Sequence, residues 1–566
     1  MYVSIVPEVR QSVFLCTNRP HLIRQLQKTQ MKNRTNSPIR AILLFPLFIA
    51  SLLPAVVTAN GDAVSTELRM QLQPVIEGRA PGAQARAEIA RTYAARKFLP
   101  LWQAPARRQQ LLTEIEALAD DGLDPKHYLA DHLRQPLADT STAAQRAQDD
   151  IRITEASVMA LNHLQSGVLD PARAGHFWRP ASLPAPDLPS PAAQLAKLGD
   201  GDLSALFNRF RPQTPLYTAL RKAMTEARQE QTGYGLPQVS SGPTLKAGMN
   251  SARVIELRAR LIADAYLAAQ DSFSPQMDDT LVEAVRAFQR DQGLDPDGAV
   301  GALTLAALNR SVAERQAMLR INLERARWLA SRQQGQYVLV DVAGYSLSYF
   351  RDDTPLWSAR TQVGTPARET PELFSRITHF TINPTWTVPP TILRKDIIPK
   401  ASANPDYLAS RNIRVLDRDG EEVDPATIDW RNTSGLTLRQ DAGDGGALGK
   451  VAIRFANPFA IYLHDTPNQR QFKRATRSFS SGCVRVEDAL DLVRLLIEGN
   501  GGDAHVARFE AALASGKTGN LSLAGSVPII IAYLTAAPDA EGRITYRPDI
   551  YRRDAELMAA LDTASK

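Results

Sequence analysis

The amino-acid sequence predicts a multidomain α+β protein. At 566 residues the chain is too long for one hydrophobic core, so several domains of ordinary size are expected. Apolar residues recur with helical spacing in residues 62–178, whereas strand-like patterns begin only at residue 337. Proline-rich and polar segments, residues 179–191 and 229–243, interrupt the helical part. Separate helical and mostly-β domains are therefore predicted.

The net positive charge is confined to the N-terminus. The formal charge is +6 at pH 7 and the pI is near 9.2. Residues 1–59 contain seven Lys or Arg and one Glu, which leaves 59 of the 66 basic and 59 of the 60 acidic residues in the remainder. Because that remainder is neutral, it has no overall field to hold a polyanion, and no nucleic-acid partner is expected.

Residues 1–59 have the pattern of an export signal. A basic segment at 31–40 precedes an apolar run at 41–56, and Val57-Thr58-Ala59 offers a small-residue cleavage site before Asn60. Met31 is a candidate translation start. An uncleaved inner-membrane anchor is the alternative, although the run is shorter than the roughly 20 residues that a span needs. In both cases the bulk of the chain is expected to be exported.

Cys483 is the single cysteine of the expected mature chain, since Cys16 lies in the export segment. The mature protein therefore has no disulfide. Secreted proteins rarely keep one unpaired thiol in an oxidising compartment, so the pattern favours a reactive cysteine.

His464 and Cys483 are the candidate catalytic residues. A short apolar strand ends at His464, and a polar, basic loop leads to Ser481-Gly482-Cys483 and then to an amphipathic helix. A thiol just before a helix N-terminus is favoured as thiolate, and a nearby imidazole can take its proton. Gly482 allows the tight turn that an oxyanion hole of backbone amides requires. Each residue alone is more often structural, but the combination is more specific.

His464, eighteen intervening residues and Ser-Gly-Cys-Val-Arg resemble the signature of the L,D-transpeptidase catalytic domain of the YkuD type. The flanking residues 462–468 and 472–474 resemble the multidomain Gram-negative YcbB group of that family. Many members have histidine where this chain has Ser481, so no second catalytic histidine is assigned.

The resemblance implies a cysteine-dependent acyl transfer in the periplasm. Cys483 would attack the peptide bond between a diamino acid and the terminal D-Ala, and His464 would act as base. The amides of Gly482 and Cys483 would hold the oxyanion, and Ser481 would orient His464 or the substrate. No metal or organic cofactor is needed, because the thiol supplies the covalent chemistry.

Three further residues are expected at the substrate site. Tyr462 lies two residues before His464 on a strand and would line the pocket, the alternative being simple packing in the barrel. Arg485, expected in the first turn of the helix, would bind a substrate carboxylate or support the site; an exposed salt bridge is the alternative. Trp386 would belong to a lid over the groove, or else to a hydrophobic core.

The rest of the chain divides around this domain. Residues 245–310, with the paired helix, the Gly293-Leu294 turn and the Asp297-Gly298 turn, resemble a small three-helix peptidoglycan-binding domain and imply peptidoglycan as partner. The complete predicted order is the N-terminal extension at 1–59, a helical scaffold domain at 60–240, the peptidoglycan-binding domain at 245–310, a linking helix at 311–335, and the mostly-β catalytic domain at 336–555 with an inserted lid subdomain at 384–447.

Several functions remain open at this stage. The resemblance favours 3-3 cross-linking of stem peptides, and the alternatives are L,D-carboxypeptidase trimming, sortase-like attachment of proteins to the wall, and non-catalytic wall binding. The sequence does not fix the diamino acid of the stem, the protein partners or the oligomeric state.

Overall fold

The computed structural model describes residues 53–79, 83–136, 138, 140–172, 177–181, 183–184, 186–230, 236–271, 273–404, 406–539 and 541–564. Most of the expected export segment, residues 1–52, lies outside this range, so its cleavage or anchoring stays a prediction. Residues 57–566 form one compact unit. Within the described part of the chain, no helix is both long and apolar enough to cross a membrane.

The scaffold domain is helical, as predicted. Asp150 organises it: this fully buried carboxylate accepts hydrogen bonds from the Tyr93 hydroxyl at 2.6 Å and from the backbone amides of Leu101 and Trp102 at 2.9 Å each. It thereby fixes the segment after the second helix against the fifth. The helices are α1 (Leu53–Ile76), α2 (Ala83–Ala95), α3 (Pro105–Ala117), α4 (Ala130–Leu133), α5 (Ala143–Ser166), α6 (Pro191–Leu198), α7 (Leu203–Phe210) and α8 (Pro215–Glu230).

A small helical domain follows, in agreement with the predicted three-helix unit. It consists of α9 (Ala252–Ala263), α10 (Asp279–Asp291) and α11 (Ala302–Leu308). Asp278 caps α10 by accepting from the Leu281 amide at 2.9 Å. Gln289 closes the following turn, because its Oε1 accepts from the Gly298 amide at 2.8 Å and its Nε2 donates to Asp297 at 2.8 Å.

Helix α12 (Val312–Ala330) links the small domain to the β region. Ser311 and Glu314 form a capping box at its start. In its second half a buried ion pair joins Arg327 to Glu324 at 2.8 Å, and Glu324 also accepts from the Leu169 amide of the scaffold at 2.8 Å. The second half of α12 is therefore buried and bonded to the scaffold domain, while the helix leads into the β region.

The β region that begins at Tyr337 forms a closed β-barrel. Among the described residues, nine strands pair in the order β10-β3-β11-β9-β8-β4-β12-β1-β2, and β2 also pairs with β3, which closes the ring. Alternating apolar residues fill its interior, including Val338, Ile377 and Val484. The strands are β1 (Tyr337–Asp341), β2 (Ser346–Arg351), β3 (Thr354–Gly364), β4 (Leu373–Ile382), β5 (Trp386–Thr387), β6 (Ile413–Leu416), β7 (Thr437–Gln440), β8 (Val451–Phe455), β9 (Leu463–His464), β10 (Ser478–Ser480), β11 (Val484–Val486), β12 (Gly519–Ala532), β13 (Ala536–Pro538) and β14 (Ile544–Tyr546).

The segment between β4 and β8 folds around its own small core, here called the insertion. Strands β5, β7 and β6 form a separate three-stranded sheet, and a π-helical turn (Leu393–Ile397) lies between short helices. Val388, Ala401, Leu408 and Val415 are among its buried residues. Its helices are α13 (Pro390–Ile392), α14 (Ile398–Ala403) and α15 (Asp406–Ala409).

Two helices complete the fold, α16 (Ala489–Ala514) and α17 (Arg553–Ala564). The first half of α16 packs Leu492 and Leu496 against the barrel core. Helix α17 packs on α12, where Arg325 donates to Asp554 at 2.7 Å.

Candidate active site

Neighbouring strands bring the two predicted catalytic segments together. β11 runs parallel to β9, with Val484 opposite Leu463 and Arg485 opposite His464. Val484 and Leu463 are fully buried in the barrel core. Because side chains alternate along a strand, His464 and Arg485 lie on the opposite face of the sheet.

Tyr462 and Cys483 stand two residues before His464 and Arg485, and so share that face. The Val484 amide donates to the Tyr462 carbonyl at 3.1 Å, which extends the pairing of the two segments to this end. The rings of Tyr462 and His464 have centroids 5.6 Å apart. The structure therefore collects the predicted nucleophile, base, tyrosine and arginine on one patch of the barrel.

The predicted position of Cys483 at a helix N-terminus is wrong. Residues 484–486 form strand β11, and α16 begins only at Ala489. Arg485 accordingly lies in a strand and not in the first turn of a helix. The thiol therefore receives no help from a helix dipole, and its electrostatics come from neighbouring side chains.

His464 is held as a neutral ring. It is only 4% exposed, and its Nδ1 donates to the Asp465 carbonyl at 2.6 Å. A carbonyl can only accept, so Nδ1 carries the proton and Nε2 remains an acceptor. Burial lowers the pKa of His464 to about 3, with a further contribution from the positive charges of Arg485 and Arg454.

Cys483 rests as a thiol. Burial raises the pKa of the Cys483 thiol, while a hydrogen bond from the Tyr462 main chain and the charges of Arg454 and Arg485 act in the opposite direction. The resting pair is thus a neutral thiol and a neutral imidazole. Such a pair can react when the proton leaves sulfur for Nε2 at the moment of attack.

Arg454 is a site residue that the sequence interpretation missed. Its guanidinium lies 4.1 Å from the centroid of the Tyr462 ring, and its Nε donates to Thr381 Oγ1 at 3.2 Å. β8 pairs with β9 so that Ala452 lies opposite His464, which places Arg454 on the same face. The available signal was a single arginine within the otherwise apolar run Val451–Phe455.

Arg485 is anchored by Gln362. Its Nη1 donates to Gln362 Oε1 at 3.0 Å, and the two residues face each other across β11 and β3. Burial lowers the pKa of Arg485. Within the described residues no carboxylate pairs with Arg485, so the exposed salt bridge considered as an alternative is not what the structure contains.

Ser481 contacts Arg368 and not His464. The Arg368 Nη1 donates to the Ser481 hydroxyl at 2.8 Å, and Nη2 of the same side chain donates to Asp396 in the insertion at 2.9 Å. This ion pair lowers the pKa of Asp396. Ser481 is therefore linked to the insertion and not hydrogen-bonded to His464, and its predicted alternative role in orienting the substrate stays a prediction.

The amide of Gly482 is already occupied. It donates to Ser480 Oγ at 3.1 Å, and that hydroxyl donates to the Cys483 carbonyl at 2.5 Å. Gly482 has φ of +112°, which requires glycine, and its carbonyl accepts from Thr370 Oγ1 at 2.9 Å. The predicted oxyanion role of this amide is not supported. Among the described residues none accepts a hydrogen bond from the Cys483 amide.

Trp386 belongs to the insertion. It is partly buried against the insertion core, and β5 pairs it with Gln440 of β7. Its packing fits the core alternative, on a subdomain that Arg368 ties to the nucleophile loop. No group of His, Cys, Asp and Glu side chains suited to a metal ion occurs in the part of the chain that the structure describes.

The β-barrel region is similar to a family of transpeptidase catalytic domains. Residues 335–503 match the family model described as "L,D-transpeptidase catalytic domain" (YkuD). Residues 87–224 match "Scaffold domain" and residues 250–308 match "Putative peptidoglycan binding domain". The chain therefore combines three regions that match a scaffold domain, a peptidoglycan-binding domain and a YkuD-type L,D-transpeptidase catalytic domain, which confirms the predicted family resemblance and fold class.

A curated Haemophilus influenzae protein named "Putative L,D-transpeptidase" is 37% identical over 245 residues, which is 43% of this chain and 49% of that protein. The chain thus spans about half the length of the curated relative that it matches. Among solved structures, the L,D-transpeptidase from Mycobacterium smegmatis is 13% identical, with 35% of this chain and 58% of that chain covered and a TM-score of 0.15. That from Stackebrandtia nassauensis is 12% identical, with 52% and 96% covered and a TM-score of 0.20. Similarities of this size carry no argument.

Proposed function

We propose that this protein is a cysteine-dependent L,D-transpeptidase that forms 3-3 cross-links between peptidoglycan stem peptides in the periplasm. The observation that carries the proposal is the placement of Cys483 and His464 on one face of paired segments inside the matched catalytic domain. The peptidoglycan-binding domain in the same chain supports peptidoglycan as the polymer. Export, with or without an inner-membrane anchor in residues 1–59, is part of the proposal.

The first half-reaction follows from the neutral resting pair. Sγ of Cys483 attacks the carbonyl between the diamino acid and the terminal D-Ala while the thiol proton passes to His464 Nε2. The tetrahedral intermediate then expels the D-Ala amine, which takes that proton from the imidazolium, and a thioester remains on Cys483. The low pKa of His464 favours this second transfer, since the buried imidazolium gives up its proton readily.

The second half-reaction uses the side-chain amine of another stem. His464, neutral again, accepts a proton from that amine as it attacks the thioester, and the thiol is restored. Arg454 and Arg485 stand beside the reacting sulfur as fixed positive charges. Such charges stabilise the negative charge that develops on sulfur and on the carbonyl oxygen.

The insertion supports cross-linking over trimming. Its Asp396 is tied through Arg368 to Ser481, two residues from the nucleophile. We infer that the insertion, held at this place, covers the site and restricts the access of water to the thioester. A transpeptidase needs that protection against hydrolysis, whereas an L,D-carboxypeptidase does not.

The test is product analysis. Purified enzyme given tetrapeptide stems is expected to yield dimers joined between two diamino acids, identified by mass spectrometry. Cys483→Ala is expected to give no product while keeping the thermal melting temperature of the parent. Tripeptide without dimer at high stem concentration would establish the L,D-carboxypeptidase alternative, and turnover by the Cys483→Ala variant would exclude both.

A further inference from the structure

A cleft of about 350 Å³ lies between the peptidoglycan-binding domain and the catalytic barrel. One wall comes from residues 290–296, and the other from residues 472–477, in the loop that joins His464 to Cys483. The two walls are fastened to each other, because Asp295 Oδ1 accepts from the Ala475 amide at 2.9 Å. We call this space the interdomain cleft. Its volume falls within the usual range for small-ligand pockets.

The interdomain cleft is lined by more cations than carboxylates. Besides Asp295, which accepts from the Ala475 amide, the acids of the cleft are Asp291 and Asp539, and Arg543 neutralises these two at 3.3 Å and 2.8 Å. Arg360 pairs with Glu487 and Arg547 pairs with Asp341. Within the described residues, four lining cations remain without a carboxylate partner: Arg290, Lys473, Arg474 and Arg477.

Arg477 is the most informative of these four. It is partly buried, and its guanidinium donates only to main-chain carbonyls, those of Arg474 at 2.5 Å and of Thr361 and Tyr345 at 3.2 Å each. Burial lowers the pKa of Arg477 to about 10, with a further contribution from the nearby charge of Arg360. Asp295 and Glu487 act on this charge only without direct contact, so a half-buried cation with no carboxylate hydrogen-bonded to it gains stabilisation from an anion that enters the cleft.

We propose that the interdomain cleft binds the carboxylates of a peptidoglycan stem peptide, at a site separate from the one at Cys483. The identity of the ligand rests on the proposed function: a stem peptide carries free carboxylates, and one wall of the cleft is the domain that matches peptidoglycan-binding proteins. Arginine and lysine side chains are the groups that recognise carboxylates by charge-assisted hydrogen bonds.

The interdomain cleft is one strand away from the catalytic residues. Arg477 Nε donates to the carbonyl of Thr361, and the next residue in β3, Gln362, accepts from Arg485. Arg485 is in register with His464. An occupant of the cleft therefore touches the loop that joins His464 to Cys483 and, at Arg360, the strand β3 that pairs with β11.

The test measures binding apart from turnover. The full chain carrying Cys16→Ser is alkylated at Cys483 with iodoacetamide, which blocks the active site, and titrated calorimetrically with a free tetrapeptide stem. The same stem with amidated carboxyls and inorganic phosphate are the comparison ligands. The variant is Arg290→Gln/Lys473→Gln, both exposed and unpaired within the described residues, so folding is expected to persist. The matched control is Lys246→Gln/Arg508→Gln, two exposed cations outside the cleft.

The acidic stem is expected to bind the parent and the control within about twofold of each other, and to bind the variant about tenfold more weakly. The amidated stem should bind all three chains weakly. Equal affinity of parent and variant, or equal affinity for acidic and amidated stems, would overturn the site. Tight binding of phosphate in place of the stem would overturn the ligand assignment. This measurement involves no turnover. Its result for the binding site is therefore independent of whether product analysis supports or contradicts the proposed transpeptidase activity.

Discussion

The Arg368 guanidinium donates to the hydroxyl of Ser481 at 2.8 Å. The same side chain forms an ion pair with Asp396 in the insertion, with Nη2 at 2.9 Å from Oδ1. One arginine, contributed by the loop between β3 and β4, thus joins the insertion to the loop that carries Cys483. This side chain therefore connects the insertion to the loop two residues before Cys483.

Replacing Arg368 should uncouple the insertion from the nucleophile loop. Arg368→Gln is expected to shift products from cross-linked dimer towards tripeptide, because water reaches the thioester more readily when the cover is released. The ratio of dimer to tripeptide, measured by mass spectrometry, gives the answer. Arg414→Gln is the matched control, since its partner Asp441 lies, like itself, within residues 384–447. An unchanged ratio for Arg368→Gln would remove the insertion from the mechanism.

The reactivity of Cys483 should depend on Arg454. Because burial raises the pKa of the thiol, the rate of its alkylation by iodoacetamide is expected to keep rising above pH about 8.5. Arg454→Gln removes a nearby positive charge that favours the thiolate, and should slow alkylation at pH 8 by roughly three- to tenfold. Arg508→Gln serves as the control for charge alone. A rate that levels off near pH 7 would instead indicate a resting thiolate–imidazolium pair.

The free energy of unfolding should decrease as the pH is lowered below about 6.5, because of His464. The folded pKa of about 3 lies below the unfolded value of about 6.5, so the unfolded chain binds this proton more readily between those values. The group therefore destabilises the fold progressively as the pH drops below about 6.5, by roughly 1 kcal/mol at pH 5.5. His464→Gln should show a shallower decrease in unfolding free energy between pH 7 and 5.5. Parallel curves for the two chains would contradict a buried neutral imidazole.

Thr370 should support the turn at Gly482. Its hydroxyl donates to the Gly482 carbonyl and accepts from the Gly364 amide, both at 2.9 Å, in a fully buried position. Thr370→Val keeps the shape and removes both hydrogen bonds, which should cost about 1–3 kcal/mol in unfolding free energy and reduce turnover. Thermal melting and initial rates measure the two effects. Thr113→Val, at an exposed position on α3, provides the comparison, and equal effects of both substitutions would dismiss the supporting role.

Sequence periodicity was sufficient for the helical domains and for the pairing of a strand-end histidine with a later cysteine. It failed after Cys483, where residues 484–486 form a strand because β9 and β3 lie on either side of them. Those partners come from distant parts of the chain, so a local pattern assigns these three residues to the helix that follows. Arg454, Gln362 and Arg368 were not predicted as site residues for the same reason. Their positions depend on strand register and on contacts between loops that are distant in the sequence. The hydrogen bond from the Gly482 amide to Ser480 was likewise not predictable from the sequence, because it depends on the rotamer of Ser480.

The packing of α17 on α12 has a consequence for the order in which the chain can assemble. Leu557 and Leu561 belong to the same buried cluster as Leu323 and Trp328, and Arg325 meets Asp554. α12 precedes the whole barrel in the chain; one part of its apolar surface is covered by α17, residues 553–564, while other parts contact α8 and the barrel. Until residues 553–564 have been synthesised, that part of α12 remains an uncovered apolar seam. A chain that stops before residue 553 leaves that seam open permanently, so truncation from the C-terminal end is a route to aggregation.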